Sequence, residues 1–256
     1  LKRNPDAEMI VTPADHLILN EDDFRAIIAE CLDFASEHDA LMTVGIKPTR
    51  PDTGYGYIQV SDNRPISKVK CFTEKPDIEL ARVFLQSGEF YWNSGIFVWK
   101  VRSIVEAFEK YLPEHHALFS GVMRAIGTDA ERNVVEIAFS ECRAISIDYG
   151  IMEKADNVYV QTVDLGWSDL GTWRSLHEMS PRTREGNVTQ NCKVLTQDCA
   201  NSVFAIAGDK IVVAAGLDGY IVADNGNALL IYPIDQEQKV KQIVNEVGLR
   251  FGEKYI

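Results

Sequence analysis

The chain has 256 residues, with 26 Lys plus Arg against 38 Asp plus Glu, a formal net charge of −12. Hydrophobic residues make up 46% and charged residues 25%, the proportions of a folded domain and too apolar for a disordered chain. The acidic balance argues against a protein that grips a nucleic-acid backbone, yet leaves nucleotides open, because a divalent ion can mediate between carboxylates and phosphates. No stretch approaches the roughly 18 apolar residues of a membrane span, Ile211 to Leu217 being far too short, and the opening residues show no signal-peptide pattern. Five cysteines (Cys31, Cys71, Cys142, Cys192, Cys199) form no CxxC pair and are expected to be reduced, mostly buried thiols of a cytoplasmic protein.

Leu1 to Pro5 reads as the end of a helix, so the natural N-terminus is expected to lie upstream. Met9-Ile10-Val11-Thr12 predicts a buried strand, and Pro13-Ala14-Asp15-His16 a polar turn after it. Phe24, Ile27, Ile28, Cys31, Leu32 and Ala35 have helical spacing behind the acidic start Glu21-Asp22-Asp23. Leu41 to Ile46 predicts the next strand, completing a strand-helix-strand unit of a mostly parallel α/β sheet, in which ligands bind beyond the carboxyl ends of strands. Glycines in Thr53 to Gly56 lead into a strand through Val60. Ile66 to Thr73 is a further strand, stopped by Glu74-Lys75-Pro76, and Asp77 to Gln86 a helix. Asn93-Ser94-Gly95 is expected as a turn before a strand at Ile96 to Trp99. Helices follow at Val101 to Tyr111 and within Pro113 to Phe139, then a strand at Val158 to Val163, a turn at Gly166 to Asp169 and a helix at Trp173 to Met179.

Turn formers and charges gather at Ser180 to Asn187, which predicts a boundary between a catalytic domain over residues 1–180 and a β-rich module over 186–256. Short runs at Ser202 to Ile206, Lys210 to Ala215 and Ala228 to Tyr232 read as its strands. Gly208-Asp209, Asp218-Gly219 and Asn225-Gly226 read as tight turns between strands, and Val240 to Val247 as a closing helix.

Candidate chemistry follows the strand ends. Asp15 reads equally as a turn residue capping the next helix or as a site carboxylate. Asp169 lies in Gly-Trp-Ser-Asp-Leu-Gly-Thr-Trp, where Gly166 and Gly171 permit tight turns and two tryptophans fit either a cleft wall or a core. Two such carboxylates can share one Mg²⁺, which takes one or two carboxylates plus substrate phosphates. Lys75 can hold a phosphate as a point charge and Glu74 can accept from hydroxyls, although an isolated Glu-Lys is more often a solvated turn; neighbours on a strand face opposite ways and need not pair. Asn93 offers a donor and an acceptor to a sugar hydroxyl, or belongs to an ordinary turn. Asp148 reads as a helix start or a site carboxylate. The five histidines show no zinc spacing, and neither GxSxG nor a P-loop is present.

Six segments in order resemble the nucleotide-sugar pyrophosphorylases, and among them the mannose-1-phosphate guanylyltransferases. They are Pro13-Ala14-Asp15-His16, Gly54-Tyr55-Gly56-Tyr57-Ile58, Phe72-Thr73-Glu74-Lys75-Pro76, Trp92-Asn93-Ser94-Gly95-Ile96-Phe97, Ser146 to Lys154 and Gly166 to Trp173. The resemblance implies a Rossmann-like mixed, mostly parallel sheet with a small β-rich tail. The implied reaction is GTP plus mannose 1-phosphate giving GDP-mannose and pyrophosphate. It further implies Mg²⁺ on Asp15 and Asp169, the sugar phosphate on Lys75, mannose on Gly56, Glu74 and Asn93, and a binding role for Asp148. The family's Gly-rich triphosphate loop with its Arg and following Lys has no match here, so the fragment alone is not expected to be competent. Gly186 to Ile256 resembles the tail of the short, single-activity form, which implies a homodimer. The alternatives are a related transferase using glucose 1-phosphate with another NTP, or a non-catalytic GDP-mannose-binding regulatory subunit.

Overall fold

The computed structural model describes Asn4, residues 6–62 and residues 64–256; apart from Asn4, the helix end expected over Leu1 to Pro5 lies outside the described residues. The chain divides into two compact units. One contains Ile18–Trp167 with the chain up to Ala14, and the other Asp15–Leu17 with Ser168–Ile256.

In chain order, β1 (Glu8–Val11) precedes the short β2 (Leu17–Ile18), and the first unit continues with α1 (Glu21–Glu37), β3 (Leu41–Ile46), β4 (Tyr57–Val60) and β5 (Ile66–Thr73). Then come α2 (Ile78–Ser87), β6 (Phe90–Lys100), α3 (Val101–Tyr111), α4 (Pro113–Ala125), α5 (Glu131–Glu141), a π-helical turn over Asp148–Met152, and β7 (Val158–Val163). The six-stranded sheet runs β1-β6-β3-β7-β5-β4, with β4 also pairing with β6. Only β3 and β7 are parallel neighbours. β1, β3, β4 and β7 nonetheless share one direction, because the reversed strands β6 and β5 are inserted among them. The predicted strand-helix-strand unit is therefore present in direction, with β6 lying between β1 and β3.

Period-2 alternation divides the core between the two faces of this sheet. Met42, Val44, Ile46, Tyr57, Ile96 and Val98 pack with Ile27, Ile28, Cys31 and Ala35 of α1 and with Phe84 of α2. Leu41, Ile58, Phe97, Trp99 and Val160 pack with Ile104 and Ala107 of α3 and with Ile151. β3 is buried at all six positions, with Thr43 as its one polar side chain. β1 is a correction. Met9, Ile10 and Val11 are 36–40% exposed, not buried, because β1 is the margin of the sheet and pairs along one edge only. A second correction concerns the thiols. All five cysteines are free, but only Cys31 and Cys199 are buried. Burial pushes the Cys31 thiol up to about 12, with the neighbouring Glu30 charge adding to it. A thiol reagent at pH 8 is accordingly expected to modify the exposed Cys71 within minutes and to spare Cys31 until the protein unfolds, which mass spectrometry of timed samples reads directly.

The short β8 (Trp167–Ser168), expected as a turn, pairs with β2 as a two-stranded ribbon. In the second unit α6 (Trp173–Met179) starts at Thr172, whose hydroxyl accepts from the Ser175 N–H at 3.0 Å. It is followed by β9 (Val188–Gln190), β10 (Lys193–Gln197), β11 (Val203–Ile206), β12 (Ile211–Ala215), β13 (Tyr220–Asp224), β14 (Leu229–Pro233) and α7 (Val240–Phe251). The strand pairing differs from a set of hairpins. Lys193 pairs with Ile211 and Val203 with Ile221, both in parallel and both 18 residues apart, so successive turns of chain stack as coils of a β-solenoid. Gly208-Asp209 and Asp218-Gly219 are corners of these coils. Asn225-Gly226 alone among the three closes an antiparallel hairpin, β13 to β14. Other corners use Asn191, Asp198 and Asn201 in the left-handed region, which short amide and carboxylate side chains tolerate. Phe204, Ile206 and Val222 fill the interior beside Val194, Val212 and Leu217.

Candidate functional site

The first unit brings five of the seven expected site residues together. Tyr57 pairs with both Thr73 and Trp92, so Gly56 and Glu74, at one end of β4 and β5, stand beside Asn93 within β6. The Asn93 N–H donates to the Gly56 carbonyl at 2.8 Å. A Cβ at Gly56 would lie 2.4 Å from Glu74 Oε2 and 3.4 Å from Asn93 Cβ, so the position accepts no side chain unless Glu74 moves. The loop before Gly56 is fixed by Asp52, which accepts from the Gly54 N–H (2.8 Å) and pairs with Arg50 (3.1 Å). The Arg50 guanidinium lies 5.1 Å over Trp92.

Asn93 is not in a turn. β6 runs continuously from Phe90 to Lys100, because Gly95 takes a φ of +72° and the pairing with β3 shifts register between Thr43 and Gly45, absorbing the irregularity as a bulge. Its side chain is largely committed. Oδ1 accepts from Thr43 Oγ1 (2.9 Å) and from the Gly95 N–H (3.3 Å), while Nδ2 donates to Asp148 Oδ1 (2.9 Å). One amide hydrogen is left for a ligand, which makes Asn93 a donor there.

Glu74 and Lys75, which strand alternation leaves free not to pair, do pair, at 2.9 Å. Lys75 adopts a φ of +47°, which breaks the alternation and swings its ammonium back over the preceding side chain. The Glu74 carboxylate is only 10% exposed, whereas the lysine is mostly open. The hydrogen bond to Glu74 raises the Lys75 pKa, keeping the ammonium protonated. Asp148 opens the π-helical turn and lines the cavity described below. Its burial, with the nearby Glu74 charge, raises its pKa. Glu153 belongs to the same neighbourhood, although nothing in its sequence position assigns it a role. Burial raises the pKa of its carboxylate, with the nearby Glu74 backbone acting against the rise. Glu74, Lys75, Arg143, Ser146, Asp148 and Tyr149 line a cavity of about 470 Å³.

The raised Asp148 has a consequence for stability. An acid whose pKa is raised on folding costs stability when ionised, and the cost disappears as pH falls through the folded pKa. Asp148→Asn is expected to stabilise the fold at pH 7 by about 1 kcal/mol, since the amide oxygen can still accept from Asn93. The advantage should shrink on acidification. Melting temperatures of both proteins from pH 4 to 8 check the sign.

Asp15 and Asp169 both fall in the second unit. Asp15 is exposed on a bend and does not cap α1, whose N-cap is Asn20. Asp169 Oδ1 accepts from the Gly171 N–H and from Ser175 Oγ, both at 3.1 Å, with Leu170 at a φ of +52° closing the turn. Trp167 is a core residue, edge-on to Tyr55. Among the described residues, no group of three or more His, Cys, Asp or Glu is arranged to hold a metal. Two carboxylates suit Mg²⁺, a hard cation that completes its shell with water and substrate phosphate. No helix is long and apolar enough to cross a membrane.

Residues 1–186 match the model of the nucleotidyl transferase family. A mannose-1-phosphate guanylyltransferase from Escherichia coli K12 is 36% identical over 256 residues, covering 96% of this chain and 53% of that protein. The xanthan biosynthesis protein XanB of Xanthomonas campestris pv. campestris B100 is 35% identical over 243 residues, covering 94% of this chain and 51% of that one. The chain thus spans about half the length of the curated relatives it matches. A crystal structure described as mannose-1-phosphate geranyltransferase from Thermus thermophilus superposes with a TM-score of 0.78 at 30% identity, over 94% of this chain and 69% of that one. With this likeness the chain has the nucleotide-diphospho-sugar transferase fold. The family match covers the sheet, the Gly56–Glu74–Asn93–Asp148 cluster and both candidate metal aspartates, and the chain belongs to the nucleotidyl transferase family.

Proposed function

We propose that this chain carries the nucleotidyl-transfer centre of a mannose-1-phosphate guanylyltransferase, joining GTP and mannose 1-phosphate into GDP-mannose with release of pyrophosphate. The observation that carries the reading is the cluster in the first unit. An amide, two carboxylates and an ammonium from three segments converge beside a backbone kept bare at Gly56. Such groups complement the hydroxyls and the charge of a sugar phosphate. The names of the relatives support the same sugar.

In this reading a phosphate oxygen of mannose 1-phosphate attacks the α-phosphorus of GTP in line, and the bond to the pyrophosphate oxygen breaks. The protein contributes positioning and charge neutralisation, with no covalent intermediate. Lys75 holds the sugar phosphate. Glu74 accepts from mannose hydroxyls and, through its pair with Lys75, fixes the distance between sugar and phosphate sites. Asn93 donates its remaining N–H, oriented by Thr43 and Asp148. Asp15 and Asp169 would hold Mg²⁺, which when bound supplies positive charge to the reacting phosphates.

The test is pyrophosphate release by the full-length protein with GTP, mannose 1-phosphate and Mg²⁺. Release only when all three are present is the expected result. Absence of release sinks the reading, and faster turnover with glucose 1-phosphate and another NTP redirects it to a sister activity.

A further inference from the structure

We infer that Arg143 is a second phosphate-binding cation of the sugar-phosphate cavity, working beside Lys75 and setting affinity for a sugar 1-phosphate; this deepens the proposed function and rests on it. Three observations lead there. First, Arg143 lines the same cavity as Glu74, Lys75, Ser146, Asp148 and Tyr149. The only side-chain cations among these are Lys75 and Arg143.

Second, the charge in the cavity is unbalanced without it. Lys75 is already engaged with Glu74 at 2.9 Å, and Asp148 adds a further carboxylate. A sugar 1-phosphate brings close to two negative charges at neutral pH. Lys75 alone, shared with Glu74 and facing Asp148, leaves that dianion under-compensated. Arg143 is exposed and makes no ion pair among the described residues, so its guanidinium is available to the ligand. Its planar fork matches two phosphate oxygens at once, which an ammonium cannot do.

Third, Arg143 is placed, not merely nearby. It stands in the short link between α5 and the π-helical turn, and its carbonyl accepts from Nε2 of the buried His115 at 2.9 Å. The backbone is thereby anchored to α4 while the side chain stays in the open. Ser146, three residues on, receives the Tyr149 N–H at 3.4 Å and keeps its own hydroxyl hydrogen for a phosphate oxygen.

The experiment uses the full-length protein and the variants Arg143→Ala, Arg143→Lys and Arg143→Glu. Loss of a bidentate charge-assisted contact is worth about tenfold to a hundredfold. The expected result is a KM for mannose 1-phosphate raised by that factor in Arg143→Ala, more in Arg143→Glu and less in Arg143→Lys, with the KM for GTP unmoved. A structural role would shift both KM values together and would not be graded by charge. Unchanged KM for mannose 1-phosphate in Arg143→Ala overturns the inference. Calorimetric titration with mannose 1-phosphate and glucose 1-phosphate separates it from the parent reading. If the wild type binds either sugar phosphate yet turns over no GTP, the guanylyltransferase reading falls while a weakened Arg143→Ala still supports the cation role. If the wild type binds neither, both fall.

Discussion

Asp169→Asn in the full-length protein is expected to lower turnover by about a thousandfold with little change in melting temperature. The size follows from the role proposed for it: removing one charged ligand from a Mg²⁺ site weakens metal-dependent neutralisation of the reacting phosphates, an effect felt in the transition state and typically worth several kcal/mol. The small stability change follows from the local structure. Asp169 Oδ1 receives the Gly171 N–H and the Ser175 hydroxyl, and an asparagine Oδ1 can accept the same two bonds, so the turn at Leu170 survives. Steady-state pyrophosphate release over a Mg²⁺ series checks it. A variant within threefold of the wild type would remove Asp169 from the metal site.

Gly56→Ala is the second large effect, and its signature is different. The new methyl would stand 2.4 Å from Glu74 Oε2, an impossible contact, but Oε2 is the far end of a flexible side chain. The other neighbours, Asn93 Cβ and Phe72 Cε1, are both at 3.4 Å and tolerate it. The fold therefore yields by moving one carboxylate, and stability changes by about 1 kcal/mol or less. Moving that carboxylate takes its partner Lys75 with it and disturbs both the hydroxyl and the phosphate contacts. A misplacement of about 1 Å costs roughly a hundredfold. The expected outcome is kcat/KM for mannose 1-phosphate down by about that factor, with the KM for GTP and the melting temperature close to wild type. If stability collapses instead, the closeness of Gly56 to Glu74 serves packing and not the site.

Much of the architecture is legible in the sequence. The bounds of β3, β5, α3, β7 and α6 coincide with the apolar periods that predict them, because strongly periodic segments buried on a known face leave little freedom. The misreadings have specific causes. Asn93-Ser94-Gly95 carries the composition of a turn, and only the long-range pairing of β6 with both β3 and β4 shows that the strand continues through a bulge. The Glu74–Lys75 pair depends on one left-handed backbone residue, which a lysine does not advertise. β1 looks buried because an apolar run has the same pattern at the margin of a sheet as in its middle. Glu153 escapes notice although it stands in a segment singled out for other reasons, since its proximity to Glu74 and Asp148 exists only in the folded chain.

The stacked coils of the second unit carry a consequence for how this tail changes with time. Val194 and Val212, 18 positions apart, occupy equivalent places on neighbouring coils. An insertion or deletion of one whole 18-residue coil at β10–β12 or β11–β13 is expected to leave the inward-facing side chains there inward, whereas a shift by a few residues turns the interior out. Changes of height by a whole coil are therefore expected to be tolerated where shorter ones are not, as masons alter a wall by the course.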